Sequence, residues 1–105
     1  MIGLGKWKGN VSSKVFKGEI FFSISDNNGE DDIDIQMPEK FSKVKISFSD
    51  IKEEGAATLT GKAQVSILPG KELKGEFVFS GDTVEGVMKL PPLINIKITD
   101  GVKVS

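Results

Sequence analysis

The sequence predicts an all-β fold, an up-and-down antiparallel barrel of eight strands, and three observations lead to it. Apolar and polar residues alternate along most of the 105-residue chain, as in strands with one buried face. Short connectors such as "DNNGED", "KEEG" and "SGDT" separate these stretches. Helical periodicity is missing, and residues 38–42 have room for one turn only. A meander with one apolar face hides that face and its edges by closing on itself, so a barrel is expected, with a two-sheet β-sandwich as the alternative.

The predicted strands follow one another along a single domain, residues 1–105. They lie near residues 2–11, 14–25, 31–37, 43–51, 57–68, 72–80, 83–90 and 93–99. Each is identified by apolar or small residues on one face, in chain order: Trp7; Phe16, Ile20, Phe22 and Ile24; Ile33, Ile35 and Met37; Val44, Ile46 and Phe48; Leu59, Ala63, Val65 and Ile67; Gly75, Phe77 and Phe79; Val84, Gly86 and Met88; Ile94, Ile96 and Ile98. The polar residues between them form the outer face.

Glycines recur in the middle of these strands, although glycine weakens a strand. The set comprises Gly9, Gly18, Gly61, Gly75 and Gly86. If Gly81 and Asp82 form a two-residue turn, counting outward places Phe77 opposite Gly86, where a large side chain covers the bare backbone. The same count puts Gly75 opposite Met88 and, in the "KEEG" hairpin, Ile46 opposite Gly61. We interpret the five as structural glycines that let strands coil, rather than as phosphate-binding loops.

The composition excludes most kinds of catalytic site. The chain has no Cys, His, Arg or Tyr, so Ser–His and Cys–His nucleophiles, the usual zinc ligands and bidentate arginine clamps are all missing. An enzyme using only Lys and carboxylates is the remaining catalytic alternative. We therefore expect a protein that is not an enzyme and that carries no cofactor and no metal.

Charge and hydropathy restrict the partners in the same way. The net charge is −1, with both signs interspersed, so no basic stripe for nucleic acid is expected. No stretch is apolar enough to span a membrane. Residues 1–20 contain no signal-peptide core, which predicts a soluble cytoplasmic protein, or an exported one if a signal has been removed. A monomer is expected.

The turn "DNNGEDDID" raises the question of calcium, because Asp26, Asn28, Glu30 and Asp32 alternate along it. Its glycine stands at the fourth position rather than the sixth, and no Glu follows at the twelfth. A solvated hairpin loop is therefore expected.

The opening "GKWKGNV" makes the chain similar to the calycin superfamily, which includes lipocalins and fatty-acid-binding proteins. Gly5-Lys6-Trp7 matches the Gly-x-Trp that plugs one barrel end in that group. The closer likeness is to small bacterial calycin-like barrel domains, carried by Trp7-Lys8-Gly9, Leu59-Thr60-Gly61 and Leu68-Pro69-Gly70. The resemblance implies carriage of a small hydrophobic molecule. The family's Arg and Tyr carboxylate clamp, helical lid and Thr-Asp-Tyr segment are missing here, so a fatty-acid clamp of that type is excluded.

The barrel interior is the candidate site, and nothing polar is predicted to point into it. The inward residues expected to line it are Trp7, Ile20, Phe22, Ile35, Ile46, Phe48, Val65, Phe77, Met88 and Ile96. Inward glycines and Ala63 would leave volume for an apolar ligand, whereas the many Phe and Ile side chains favour a filled core. The expected function is binding of a small apolar molecule. The alternative is a packed structural or protein-interaction module that uses its loops.

Overall fold

The computed structural model describes residues 2–14, 17–92 and 94–105 and places eight strands in them. These are β1 (Gly5–Ser12), β2 (Lys17–Asn27), β3 (Glu30–Gln36), β4 (Ile46–Glu54), β5 (Thr58–Val65), β6 (Leu73–Ser80), β7 (Thr83–Leu90) and β8 (Ile94–Lys103), with one 3₁₀ turn at Glu39–Phe41. They form a single antiparallel sheet in the order β3-β2-β1-β8-β7-β6-β5-β4. The predicted all-β, up-and-down barrel is confirmed.

The barrel is nearly closed, and its one interruption lies between β3 and β4. β1 pairs with both β2 and β8, so the sheet is continuous where the first and last strands meet. β3 and β4 are the two edge strands of the sheet. We call the line between them the seam. The chain crosses from one side of the seam to the other through the 3₁₀ turn, whose Phe41 packs against the core.

The β6–β7 hairpin has the register that the sequence predicts. Ser80 pairs with Thr83 across the Gly81–Asp82 turn, and Phe77 lies opposite Gly86. Gly75 lies opposite Met88. Gly81 has a φ of 60°, a conformation that glycine adopts without the strain of a side chain. The two-residue turn therefore fixes the register of the whole hairpin.

The predicted register of the β4–β5 hairpin is wrong. Ile46 pairs with Val65, not with Gly61. Two features displace the count: the turn between Glu54 and Thr58 holds three residues, and the ladder jumps between Ser49 and Lys52. Asp50 and Ile51 together oppose one residue of β5, which is a β-bulge, and Asp50 takes a φ of 51°.

Several strand ends also differ from the prediction. β1 begins at Gly5 rather than residue 2, because residues 2–4 lie against the barrel end, where the Trp7 indole donates to the Gly3 carbonyl at 2.8 Å. β5 ends at Val65, and Ile67, predicted to face inward, is 43% exposed in the following turn. β8 continues to Lys103. The predicted start of the second strand at residue 14 is wrong, since Lys14 lies in a bend before β2. Val15, Phe16 and Leu93 lie outside the described residues.

The core fills the barrel from end to end with apolar side chains. Trp7 is buried at the end where the chain begins, as predicted. No polar or charged residue in the described ranges is buried. The opposite end is covered by half-buried residues that pack on the core, among them Phe41, Leu68, Leu90 and Ile94. The sheet therefore presents one continuous apolar face to the inside.

Candidate functional site

The structure directs all ten predicted interior residues towards the core. Eight are buried: Trp7, Ile20, Phe22, Ile46, Val65, Phe77, Met88 and Ile96. The other two, Ile35 and Phe48, are half-buried and pack against them. Both lie on the strands that border the seam, β3 and β4, and this position explains their partial exposure. The inward face was therefore predicted correctly, while its use as a ligand site stays a prediction.

A chain of aromatic rings occupies the half of the barrel around Trp7. Its indole stacks on Phe22 with centroids 6.4 Å apart, and Phe22 contacts Phe77 at 5.7 Å. Phe77 in turn meets Phe48 edge-on at 5.8 Å, and Phe79 meets Trp7 at 5.1 Å. Centroids at 4.5–7 Å are the range in which aromatic pairs attract one another. The rings thus connect the plugged end of the barrel to the seam.

The interior glycines leave less free volume than the absence of a side chain suggests, because neighbouring atoms fill the space. A Cβ placed on Gly86 would lie 3.0 Å from the ring of Phe77, and one on Gly75 would lie 3.6 Å from Phe48 and 3.7 Å from Met88. The other structural glycines also face close neighbours: Thr99 and Gly101 at Gly9, Pro38 at Gly18, and Ser49 and Ile51 at Gly61. Large side chains occupy the space beside Gly75 and Gly86, which is the covering arrangement predicted for them, whereas the nearest atoms at Gly9 and Gly61 belong to the backbone of neighbouring strands.

A cleft of about 850 Å³ opens at the seam. It is lined by residues of the β2–β3 turn, the start of β3 and the bulged half of β4: Asn27, Gly29–Asp32 and Phe48–Glu53. We call it the seam cleft. Of the ten predicted interior residues only Phe48 lines it. Pockets for small ligands have volumes of roughly 300–1,000 Å³ and are mostly apolar; the seam cleft falls within this range of volume, but its lining is mainly polar.

The bulge in β4 determines which side chains face the seam cleft. Before the bulge, Ile46 and Phe48 face inward; after it, Ile51 is half-buried and packs on the core. Because two bulge residues share one position of the ladder, the inward parity changes from even to odd residue numbers. Glu53, paired with the fully buried Leu59, therefore lies on the inner face, and its Oε2 accepts a hydrogen bond from the Ile2 amide at 2.8 Å.

Asp31 is a second acidic residue on the inner face. It shares the parity of Ile33 and Ile35 on β3 and is half-buried. Its Oδ1 atom is buried and has no hydrogen-bond partner among the described residues. Burial raises the pKa of Asp31 above its ordinary value; the negative charges of Glu53 and Asp26 act in the same direction, and the positive charge of the amino terminus acts against them. A positively charged group in the seam cleft would compensate this carboxylate.

No polar or charged residue in the described ranges is buried, as predicted, but two acidic residues occupy inward positions of the ladder at the seam: Asp31 is half-buried and Glu53 is exposed. For Asp31 the sequence did contain a signal, since Asp31 stands two residues before Ile33 and continues the inward alternation. For Glu53 it did not, because regular alternation from Phe48 assigns odd residues to the outer face. The bulge that reverses this assignment is visible in the backbone pairing alone.

The seam cleft is acidic and has an apolar floor. Phe48 and Ile51 supply the apolar surface, while five acidic residues and one lysine border it: Glu30, Asp31, Asp32, Asp50, Glu53 and Lys52. Asp50 is paired outside the cleft with Lys62, at 3.1 Å. Lys62 donates a hydrogen bond to the Asp50 carboxylate, which raises the pKa of Lys62, and the charge of Glu72 adds to this effect. The other acids leave an excess of negative charge.

The acidic turn has a local structural role. Asp26 Oδ1 accepts a hydrogen bond from the Gly29 amide at 2.7 Å, which stabilises the turn between β2 and β3. Within residues 2–14, 17–92 and 94–105, no three acidic side chains are grouped closely enough to hold a metal ion. The same ranges contain no helix with the length and hydropathy needed to cross a membrane.

In comparisons with protein families, curated proteins and solved structures, the chain matches none of them. The resemblance to calycins thus stays a prediction that rests on the short motifs around Trp7, Leu59 and Leu68.

Proposed function

We propose that this barrel is a non-enzymatic binding protein and that its binding site is the seam cleft. The observation that supports this most is the unpartnered, buried Oδ1 of Asp31 beside an apolar floor in a cleft of about 850 Å³. A buried acceptor without a donor is unfavourable, and a ligand that supplies the donor removes that penalty. The ligand therefore combines a positive charge with an apolar surface.

Titration of ¹⁵N-labelled protein with benzylammonium, a small cation with an apolar ring, tests this proposal. We expect saturable shifts of amide signals from residues 29–32 and 48–53. Phenylacetate, which carries a similar ring and the opposite charge, is the matched control and should leave these signals unchanged because the cleft is acidic. Equal shifts with both compounds, shifts elsewhere only, or no saturable shift with benzylammonium would overturn the proposal.

Binding of an apolar molecule in the barrel interior is the second candidate. It is favoured by the aliphatic end opposite Trp7, where Leu68, Leu90 and Ile94 are half-buried over the core. A neutral apolar dye, Nile red, separates the two sites. Interior binding would shift amide signals around residues 68, 90 and 94, saturate at one dye per chain and be weakened by Met88→Trp. A dye that shifts only the signals of the seam cleft would argue against the interior site.

A further inference from the structure

The turn between β2 and β3 contains the one asparagine of the sequence that precedes a glycine. The other asparagines, at positions 10, 27 and 95, precede valine, asparagine and isoleucine. Asn28 is followed by Gly29, and both are exposed in the two-residue turn. A Cβ placed on Gly29 would have no described neighbour within 4 Å. The Asn28–Gly29 peptide bond is therefore accessible to water and free of packing on the side of the glycine.

An asparagine in this position can lose its side-chain amide without an enzyme, since asparagine is thermally labile. Hydroxide removes the proton from the Gly29 backbone nitrogen, which attacks Cγ of Asn28. A bond forms between these two atoms and the bond from Cγ to Nδ2 breaks; the leaving nitrogen takes a proton from water and departs as ammonia. Water then opens the five-membered succinimide. Cleavage of the new N–Cγ bond leaves aspartate, and cleavage of the original peptide bond leaves isoaspartate.

One hydrogen bond opposes this reaction. Asp26 Oδ1 accepts the Gly29 N–H at 2.7 Å, a length typical of a bond to a charged acceptor. The proton in this bond is the one that Gly29 must lose before its nitrogen can attack. The same bond ties the turn to the end of β2, and so limits the backbone movement that closing a five-membered ring requires. Asp26 thus makes the nitrogen less reactive and the turn less adaptable.

From the Asn-Gly sequence, the exposed turn and this hydrogen bond we infer that Asn28 is a site of spontaneous deamidation and that Asp26 is a positioning residue that slows it. The inference is independent of the proposed function. Its products would nevertheless change the seam cleft, which Asn27 and Gly29 line. Aspartate adds a negative charge beside the cleft, and isoaspartate also adds one atom to the backbone of the turn.

Peptide mapping of protein incubated in a mildly alkaline buffer measures the reaction. Trypsin divides the asparagines among the peptides 9–14, 18–40 and 90–97, and fragmentation distinguishes position 27 from position 28. We expect mass spectrometry to detect conversion of the amide to a carboxyl group at position 28, as both aspartate and isoaspartate. This conversion should be at least about tenfold faster than at positions 10 and 95, which lie within β1 and β8 and react only after local opening.

Three variants test the part played by Asp26. Asp26→Ala removes the acceptor and should deamidate at position 28 about fivefold faster than the wild type, as the loss of one exposed hydrogen bond predicts. Asp26→Asn removes the charge but keeps an oxygen acceptor, and its new asparagine precedes asparagine rather than glycine. Glu30→Gln, the matched control, removes an exposed charge on the other side of the turn. Both should stay within about twofold of the wild type.

Amide spectra of the three variants, unchanged outside the turn, check that each keeps the barrel. Two results would overturn the site itself: no conversion at position 28 in either the wild type or Asp26→Ala, or conversion at positions 10 and 95 at the same rate. Equal rates for Asp26→Ala and Glu30→Gln, or for Asp26→Ala and Asp26→Asn, would overturn the protective role of the hydrogen bond.

Discussion

At the scale of single residues, Gly86 and Asp31 show how the inner face of the barrel is used. Gly86 lies under the ring of Phe77, which itself contacts Phe22 and Phe48. Asp31 lies at the seam, where no described donor reaches its buried oxygen. Packing closes the first position, whereas the second holds a carboxylate whose charge is disfavoured by partial burial, so substitutions at the two should change stability in opposite directions.

Gly86→Leu should destabilise the protein by about 1–3 kcal/mol, because the new side chain cannot fit beneath Phe77 without moving a packed ring. Lys89→Leu on the outer face of the same strand should change the free energy of unfolding by less than about 0.5 kcal/mol. Urea unfolding of both variants measures this. Equal losses of stability would contradict the assignment of faces in β7.

Asp31→Asn should stabilise the free protein at pH 7, by less than about 1 kcal/mol since Asp31 is only half-buried. The raised pKa of this acid means that the folded state holds its proton more firmly than the unfolded state. The Asp31 contribution to stability therefore falls as pH rises from the ordinary pKa through the raised one. The free energy of unfolding should be measured from about pH 3 to pH 7 for both proteins. That of the Asp31→Asn variant should increase relative to that of the wild type as pH rises. A difference in free energy of unfolding that stays constant from about pH 3 to pH 7 would contradict this prediction.

At the scale of the elements, the bulge in β4 decides the chemistry of the seam cleft. It turns Ile51 towards the core and brings Glu53 to the inner face. It also holds Asp50 at a positive φ, which Asp tolerates and β-branched residues do not. The bulge is thus encoded by a residue that permits its backbone conformation, as well as by the sheet around it.

Asp50→Val should therefore cost about 1–3 kcal/mol, since a β-branched residue is strained at this φ. Its ion pair with Lys62 is exposed and contributes little of the loss. Ser49→Val, the same new residue at the preceding exposed position, is the control and should have a small effect. Asp50→Asn, which also tolerates this conformation, should stay close to the wild type in urea unfolding. A similar loss for Asp50→Asn would show that charge, not backbone conformation, is responsible.

The two hairpins explain why some of this structure follows from the sequence and some does not. In β6–β7 a two-residue turn and unbroken alternation determine every pair from Gly75 to Met88. In β4–β5 the three-residue turn and the bulge each shift the register, and neither has a unique signature in the side-chain pattern. The interior residues could thus be predicted, whereas the seam cleft, which depends on backbone pairing, could not.

At the scale of the whole molecule, the barrel is a continuous sheet except at the seam, where β3 and β4 are not paired. The pairing of β1 with β8 joins the two ends of the chain, so the free edges fall within the chain, on either side of the 3₁₀ turn. β3 is held by a ladder on one side only, and opening of β3 would leave the other paired strands in place. A structure of this kind opens locally at its edge before it unfolds as a whole.

Hydrogen exchange should reveal this order. Amides of β3 and β4 should exchange by local opening, with protection at least about a hundredfold lower than amides of β1, β7 and β8, which lie between two paired neighbours. Residues of β6, also paired on both sides, provide an internal control for strand length and exposure. Mild destabilisation of the core by Gly86→Leu should speed exchange in β1, β7 and β8 and leave that of β3 nearly unchanged, because the two groups open by different routes. Uniform protection across all eight strands would mean that β3 and β4 open only with the whole barrel, and that the seam is closed in solution.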